Sequence, residues 1–320
     1  MSNHFGNPLQ EQRQLLLGKA FVHRTDESVI ELIGSESLKW LHTLTSQNLA
    51  NLKPGQSAEA LILDPHGHIE HQLKVIATEQ GAQVITAQDR AAGLIVWLQK
   101  MKFRTQVEIV VSDLVVVGVF GDNEFDFPCW ADAWGKDPVG SARYAKDAEP
   151  FGYKEFLVGN IDEIDLPQAG LMAYSALRIA AGRPEISDVD ERSLPHEYDW
   201  LSSSVHLSKG CYRGQETVAK VHNLGHPPRR LALLHLEVGD VLAQPGEGVF
   251  HNDREVGKVL ASALHFEEGS LALALLGRVT PYTDLKVAGV SASQQILVPA
   301  DAGKAANLPR PSAFKLSGKK

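Results

Sequence analysis

The sequence predicts an α+β protein with a small antiparallel β-barrel at its C-terminal end, and two observations carry this prediction. Before Gly225, apolar residues alternate in some stretches as in strands and recur in others at helical spacing. After Gly225 the chain consists of short strand-like runs separated by Gly and Pro at intervals of about ten residues, which is typical of small barrels. We expect the barrel over residues 229–298, followed by a disordered basic tail over 299–320.

The α+β region begins with a strand, a helix and a hairpin. Residues 29–33 alternate as a strand, and the apolar spacing over 38–44 predicts a helix that Ser35 can cap. Residues 58–63 and 69–77 are strand-like on either side of an Asp-Pro-His-Gly turn. These two runs form the clearest hairpin of the sequence.

Helix and strand patterns continue to alternate further along the chain. Asp89 can cap a helix that runs to about residue 101, and β-branched runs over 107–111 and 114–120 predict two strands. Residues 171–181 predict a helix that is ended by Gly and Pro.

The α+β region extends to the start of the barrel. We expect it to cover residues 1–228. Residues 121–148 are rich in turn-forming residues, tryptophans and acids, so we expect irregular structure there.

Signatures of several common site classes are missing. The sequence contains neither a Walker motif nor a dinucleotide-binding fingerprint, which argues against nucleotide-dependent enzymes. The hairpin carries His66, His68 and His71, but positions 68 and 71 point to opposite faces of a strand. Three ligands would therefore not converge, and we expect no metal site there.

The composition indicates a protein of the cytoplasm. Of its 320 residues, 43% are hydrophobic and 22% are charged, and the apolar runs are too short to span a membrane. Residues 1–14 are polar and lack the apolar core of a signal peptide. Two cysteines do not make a disulfide framework. The net charge of −8 argues against direct binding to nucleic-acid backbones.

One of the two cysteines lies in a stretch with the properties of a reactive site. Two nearby glycines let a ligand approach Cys211, and the cations Lys209 and Arg213 favour its thiolate. We therefore expect an accessible thiol with a lowered pKa, while a buried and inert cysteine beside a tyrosine is the alternative. Cys129 has aromatic neighbours and no adjacent cation, and we interpret it as structural.

The sign of the charge reverses around this cysteine. Residues 209–230 contain one acid, Glu216, and five cations: Lys209, Arg213, Lys220, Arg229 and Arg230. A bound small anion and a solvated basic face both explain such a cluster, and the sequence leaves both open.

Residues 209–216, Lys-Gly-Cys-Tyr-Arg-Gly-Gln-Glu, resemble the signature of the YgfZ family. This family comprises folate-binding proteins that are related to the T-protein (aminomethyltransferase) of the glycine cleavage system and are connected with iron–sulfur cluster maturation. Similarity to the family extends to residues 29–34, 38–48, 177–184, 193–197 and 225–231. The match spans about residues 20–295.

The resemblance implies three domains around a central cavity that holds tetrahydrofolate or another folate, with the cysteine loop at the edge of that cavity. Residues 1–228 would form two interleaved α+β subdomains, with about 52–112 as one of them, and the barrel would be the third domain. Glu197 matches a Pro-x-Glu position whose carboxylate hydrogen-bonds the pterin ring in T-proteins. The other residues that we expect to contact the folate are Arg178, Lys209, Tyr212 and Arg213.

Two departures from the T-protein pattern favour an accessory protein over an enzyme. Ala180 stands where related proteins usually carry a glutamate. T-proteins carry the acid needed for aminomethyl transfer in the stretch that matches residues 71–74, and here no carboxylate stands at 71 or 72. Glu70 is one residue away and would face the other side of the strand. We therefore expect a tetrahydrofolate-binding accessory protein whose thiol, Cys211, supports assembly or repair of iron–sulfur enzymes, including tRNA-modifying ones. Its partners would be those enzymes or cluster assembly proteins.

Two other functions remain open. The chain could be a folate-dependent aminomethyltransferase or demethylase that acts on a small amine. It could also be a cysteine hydrolase with His206 or His222 as the base, which requires an imidazole within about 3 to 3.5 Å of the sulfur.

Overall fold

Two five-stranded sheets and a closed six-stranded barrel form the framework of the protein in the computed structural model. The structure describes residues 3–136, 140–238 and 241–306. In these ranges, no helix is long and apolar enough to cross a membrane. The helices are α1 (Pro8–Leu16), α2 (Ser37–Leu44), α3 (Gln88–Met101), α4 (Leu171–Ala180) and α5 (Gln215–Leu224).

The strands are distributed over the sheets and the barrel as follows. Sheet I contains, in order across it, β10 (Gln168–Ala169), β1 (Phe21–His23), β7 (Val115–Phe120), β9 (Tyr153–Val158) and β8 (Cys129–Ala131). Sheet II contains β3 (Ser57–Leu63), β4 (Ile69–Thr78), β5 (Gly81–Ala87), β2 (Glu27–Ile33) and β6 (Glu108–Ser112). The barrel contains β11 (Arg229–Leu236), β14 (Gly269–Gly277), β13 (Arg254–His265), β12 (Gly248–His251), β15 (Leu285–Val287) and β16 (Val290–Ile296).

The predicted hairpin is confirmed as β3 and β4, which pair antiparallel. Its turn is held by Asp64, whose Oδ1 accepts hydrogen bonds from the backbone N–H groups of His66 (2.7 Å) and His68 (2.8 Å). Gly67 follows with φ +85°, a conformation that favours glycine. The turn chemistry visible in the sequence therefore sets the register of this hairpin.

Sheet II buries both faces. On one face, Leu41 of α2 and Leu94 of α3 belong to the same buried cluster as Val75 of β4. The other face turns toward sheet I, and it buries the charged residues Glu59 and Lys74. Because successive strand residues point to opposite faces, the same strands supply an apolar core on one side and a charged layer on the other.

The predicted barrel is confirmed, and two of its strands are buried on both sides. Leu234 of β11 and Ala272 of β14 belong to the cluster of the barrel interior. Leu231 and Leu273, on the same two strands, belong to a second cluster outside the barrel that includes Trp200. The outer surface of the barrel thus forms part of the core of the whole molecule.

Two predicted helix caps are wrong. Helix α2 starts at Ser37 with Glu36 at the N-cap position, so Ser35 does not cap it. Helix α3 starts after Ala87, and Asp89 lies inside its first turn. A carboxylate in the first turn interacts favourably with the helix dipole without capping, and both roles give the same sequence signal.

The chain also contains elements beyond those predicted. Helix α1 follows Asn7, whose Oδ1 accepts from Leu9 N (3.0 Å), and α5 follows the cysteine motif. Part of the expected tail packs against α5, because Ala305 N donates to His222 O (2.9 Å). Residues 307–320 of that tail lie outside the described residues, and the domain boundaries stay a prediction.

Candidate functional site

Cys211 lies in an exposed loop that leads into α5. The next residue, Tyr212, is buried in the main hydrophobic cluster and anchors the loop. Gly214 has φ +81°, and a Cβ at this position would lie 2.6 Å from Asp64 O and 2.9 Å from Gly67 Cα. The cysteine loop therefore rests directly on the β3–β4 hairpin, and glycine is needed at the contact.

Lys209 is buried and holds the loop to the end of α2. Its Nζ donates to the carbonyl oxygens of His42 (2.5 Å), Thr45 (2.5 Å) and Gln47 (3.1 Å). Burial lowers the pKa of Lys209 to about 8. Its charge is thus directed at carbonyl groups, and no hydrogen bond joins it to Cys211 among the described residues.

The remaining cations of the predicted basic cluster are largely paired. Arg213 Nη1 lies 2.8 Å from Glu70 Oε2. Arg229 binds Glu197 and Asp190. Arg230 is fully buried and donates to Thr280 O and Gln294 Oε1. The excess positive charge of the sequence is therefore mostly neutralised or buried in the fold, and a reactive thiolate at Cys211 stays a prediction.

Glu197 is fully buried and already bound. Its two carboxylate oxygens accept from Arg229 Nε (2.9 Å) and Nη2 (2.8 Å), and Oε2 also accepts from Leu194 N (3.0 Å). The bidentate edge that a pterin would use is thus occupied by a guanidinium. A pterin contact requires Arg229 to release at least one oxygen.

Arg178 is also a buried structural group. Its Nη1 donates to Asp188 Oδ2 (2.7 Å) and to Arg183 O (2.9 Å), and its Nε lies 3.3 Å from Glu185 Oε2. It fixes the segment that follows α4. The predicted site residues accordingly fall into two groups: the cysteine loop with Lys209, Tyr212 and Arg213, and the buried ion pairs of Arg178 and Glu197.

The two cysteines differ as the sequence indicates. Cys129 is half-buried in β8, and burial raises the pKa of its thiol to about 11. Cys211 is exposed, and no hydrogen bond joins it to His206 or His222 in the described parts of the chain. His222 Nδ1 lies 2.8 Å from Tyr144 OH instead. The geometry of a cysteine hydrolase is therefore not formed.

A layer of charged residues lies between sheets I and II, and sequence reasoning missed it as a site. We call the following residues the charged layer: Arg24, Glu27, Glu59, Lys74, Asp132, Glu155, Arg178, Arg183, Glu185 and Asp188. The sequence does contain one signal of this layer, because the charged residues Glu59 and Lys74 interrupt otherwise apolar runs within strands.

A cavity of about 340 Å³ opens beside this layer, and we call it the inter-sheet cavity. Its wall includes Arg24, Glu27, Gln72, Lys74, Glu185 and Ile186. Gln72 lies in the hairpin stretch that, by the resemblance, matches the one in which T-proteins carry their acid. Its Nε2 donates to Glu59 Oε1 and its Oε1 accepts from Ile186 N (3.0 Å). An amide thus stands at this point of the cavity wall.

The ion pairs at the cavity are tight. Lys74 Nζ lies 2.6 and 2.7 Å from the two oxygens of Glu155 and 2.5 Å from Glu27 Oε1. Burial alone would lower the pKa of Lys74, but Glu155 and Glu27 raise it above its usual value. Burial raises the pKa of Glu27 to about 8, against the opposing effect of Arg24.

Two further cavities adjoin the segment that ends the charged layer. One, of about 730 Å³, is lined by Glu70, His71, Arg90 and Trp97, and also by Asp190. The other, of about 650 Å³, separates Asp190 from barrel strand β13. The segment 185–191 borders all three cavities. That one of them is the central folate cavity implied by the resemblance stays a prediction.

Comparison with known proteins finds aminomethyltransferases and YgfZ proteins among the similar sequences. No family model matches the chain. Over 300 residues the chain is 28% identical to an aminomethyltransferase of Rippkaea orientalis, with 81% of this chain and 79% of that protein covered. Over 277 residues it is 24% identical to the tRNA-modifying protein YgfZ of Aliivibrio fischeri, with 78% and 83% covered. A 94-residue stretch of the chain is 35% identical to a protein of Arabidopsis thaliana that is named a chloroplastic transferase. This stretch covers 20% of the length of that protein.

A solved structure shows the fold. Aminomethyltransferase T of the glycine cleavage system from Bartonella henselae superposes with a TM-score of 0.70 at 16% sequence identity. The superposition covers 91% of this chain and 88% of that one. The predicted α+β fold with a C-terminal barrel is therefore confirmed as the fold of this transferase.

Proposed function

We propose that this protein, which has the aminomethyltransferase fold and resembles YgfZ proteins in sequence, binds tetrahydrofolate and supports assembly or repair of iron–sulfur enzymes. The proposal includes enzymes that modify tRNA, because the Aliivibrio fischeri relative is named a tRNA-modifying protein. Both cysteines are free, as in proteins of reducing compartments, and we propose that the protein acts in the cytoplasm.

The inter-sheet cavity is the observation that carries this proposal. Its volume of about 340 Å³ lies within the range of small-molecule sites. A pterin ring is flat and apolar on its faces and carries hydrogen-bond donors and acceptors on its edge. The wall matches this chemistry, because apolar Ile85 and Ile186 stand beside carboxyl and amide groups. Glu27 Oε2 is buried without a hydrogen-bond partner, which is a polar atom that a ligand would satisfy.

The predicted folate contacts take different parts in this proposal. Glu197 does not line the inter-sheet cavity, and Arg229, which binds both of its oxygens, lines the cavity beside β13. The predicted pterin contact of Glu197 therefore requires Arg229 to yield one oxygen and the folate to reach past the segment 185–191. Arg178 positions the segment around Asp188 and Glu185 at the cavity. The remaining three contacts hold the cysteine loop in place: Lys209, Tyr212 and Arg213.

The chemistry of the site favours an accessory role. Bound tetrahydrofolate would supply a reduced ring that carries one-carbon units. Gln72 faces the cavity wall with an amide, which neither takes up nor releases a proton at neutral pH, so aminomethyl transfer lacks its usual acid. The exposed thiol of Cys211 is available to a partner's thiol or cluster.

Anaerobic calorimetric titration with tetrahydrofolate tests the proposal. We expect saturable binding of one folate per chain. Glu197→Ala should weaken this binding about 10- to 150-fold, because a charge-assisted acceptor typically contributes about 1.5 to 3 kcal/mol. Glu216→Ala, which removes an exposed acid of α5, serves as the control and should leave the dissociation constant unchanged.

Each outcome of the titration decides one part of the proposal. Absence of binding to the unaltered protein would rule out a folate function. Binding that is insensitive to Glu197→Ala would keep the folate and remove Glu197 from its site.

A further inference from the structure

We infer that Glu27 is a neutral carboxylic acid in the wall of the inter-sheet cavity and that it donates a hydrogen bond to the heterocycle bound there. The inference rests on the proposed function, since the ligand is taken to be a folate. It adds a recognition residue that is not among the folate contacts implied by the resemblance. The chemistry required of the ligand is a planar ring system with a carbonyl oxygen or ring nitrogen as acceptor.

Strand register brings Glu27 and the hairpin to the same cavity. Glu27 of β2 pairs with Ala87 of β5, and Lys74 of β4 pairs with Ile85 of the same strand. Residues two apart on a strand share a face, so Glu27, Lys74 and Gln72 lie on one face of sheet II. Glu27 thus supplies a carboxyl group where the hairpin supplies only an amide.

The surrounding charges favour the neutral form of Glu27. The charged side chains around it are Arg24, Lys74, Asp26, Glu155 and Glu185, and Arg178 lies 3.3 Å from Glu185 on the far side. These three acids already balance the three cations, and the phenol of Tyr153 is uncharged. An ionised Glu27 would add a fourth negative charge in a place with little access to water. Its raised pKa of about 8 agrees with this balance.

The bonds of Glu27 indicate which oxygen carries the proton. Oε1 accepts from Lys74 Nζ at 2.5 Å and lies 3.2 Å from Arg24 Nη2, so the proton belongs on Oε2. Oε2 has no hydrogen-bond partner in the described residues, and the side chain of Glu27 is only 7% exposed. A buried O–H group without an acceptor is unfavourable. Because Glu27 lines the cavity, a ligand there can supply the acceptor.

The pH dependence of tetrahydrofolate affinity tests the inference. For the unaltered protein, we expect a constant dissociation constant from pH 6 to about 8 and a rise of up to about tenfold per pH unit above that, because the bound state requires one proton. Glu27→Gln keeps a donor and cannot ionise, so its affinity at pH 7 should stay within about threefold and show no such rise. Glu27→Ala should bind at least about tenfold more weakly at pH 7.

Controls separate Glu27 from other ionisations. Glu31→Gln changes the same residue type on the same strand at a position outside the cavity wall, and its profile should follow that of the unaltered protein. Ligand ionisation is common to all variants, so it cancels in the comparison. Circular dichroism and thermal unfolding check that each variant is folded.

The outcomes are distinct. Parallel profiles for the unaltered protein and Glu27→Gln, or full affinity in a folded Glu27→Ala, would overturn the role of Glu27 and leave the folate function standing. A protein that binds no tetrahydrofolate at any pH would overturn both.

Discussion

At the scale of single residues, Lys209 shows how a charged side chain of a functional motif serves the structure. Three carbonyl oxygens surround its ammonium group, two of them after the last turn of α2. Cations at helix C-termini are stabilised by the exposed carbonyl groups there. Lys209 and the buried ring of Tyr212 therefore fix the backbone on both sides of Cys211 and leave its side chain in solvent.

Alkylation should distinguish the two cysteines in the folded protein. Cys211 is exposed, whereas Cys129 is half-buried with its pKa raised to about 11, so only about one in a thousand Cys129 thiols is ionised at pH 8. We expect iodoacetamide to modify Cys211 at least about tenfold faster. Mass spectrometry of timed samples measures both rates, and a sample unfolded in denaturant provides the control in which the rates converge. Equal rates in the folded protein would contradict this assignment.

The same cysteine has an expected role in cells. Cys211→Ser keeps nearly the same volume and loses a soft, ionisable sulfur, so fold and folate affinity should survive. In a cell that contains this variant and lacks the unaltered protein, we expect the activities of iron–sulfur enzymes to fall. Full restoration of those activities would make Cys211 a packing residue.

At the scale of elements, the cysteine loop and the β3–β4 hairpin lie so close together that Gly214 has no room for a side chain. Gly67 and Gly214 face each other with φ +85° and +81°, and the backbone of Asp64 lies against Gly214. Thr217 of α5 packs on Gly67 from the same side. The start of α5 and the hairpin turn are therefore positioned by one another.

Gly214→Ala should destabilise the protein. The new methyl group would lie 2.6 Å from Asp64 O, and the left-handed backbone adds strain, so we expect a loss of about 1 to 3 kcal/mol. Gly210→Ala is the matched control in the same loop, because a Cβ at Gly210 meets open space. Its unfolding free energy should stay within about 0.5 kcal/mol of the unaltered protein. Urea denaturation measures both, and equal values for the two variants would refute this account of the contact.

Local signals predicted some elements well and others poorly. The hairpin and the barrel strands other than β16 were visible because alternation and turn residues act within a few positions. The caps of α2 and α3 were misplaced because a cap and a first-turn acid have the same signature. The charged layer was missed because pairs such as Lys74 with Glu155 join residues 81 positions apart, and a single sequence carries no sign of which distant strands meet.

At the scale of the molecule, the charged layer joins the two sheets. Arg183 binds Glu59 of sheet II (2.8 Å) and Asp132, which follows β8 of sheet I (2.9 Å). Lys74 connects β4 with Glu155 of β9 in the same way. Such buried ion pairs cost desolvation energy, and breaking one partner leaves an uncompensated charge. The two sheets are thus expected to unfold together.

This layer should also make stability depend on pH through Glu27. Its pKa rises from 4.5 to about 8 on folding, so the folded state holds a proton that the unfolded state releases. The stabilisation is present below about pH 4.5 and is lost as pH rises to about 8, at up to about 1.4 kcal/mol per pH unit. The unaltered protein loses this stabilisation as pH rises, whereas Glu27→Gln does not. The free energy of unfolding of Glu27→Gln, relative to that of the unaltered protein, should therefore increase by at most about 4 kcal/mol between pH 5 and 8.

Urea denaturation at both pH values measures this difference, with Glu31→Gln as the control. His71 and His196, whose pKa values are lowered to about 4 by burial, act in the opposite direction over the lower part of the range. They are common to all variants and cancel in the comparison. If the difference in unfolding free energy between Glu27→Gln and the unaltered protein stays constant with pH, Glu27 has the same pKa in the folded and unfolded states.

The two-sided burial of β11 and β14 limits the independence of the barrel. Five leucines cover the outer side of these strands against the rest of the chain: Leu231, Leu233, Leu271, Leu273 and Leu275. A chain cut before Arg229 would return this stripe to water, at about 1.5 to 3 kcal/mol for each side chain. Such a fragment keeps the strand-to-strand hydrogen bonds of a closed barrel but exposes an apolar surface. It would therefore self-associate or bind a chaperone. The barrel thus depends on the rest of the molecule to cover its outer face.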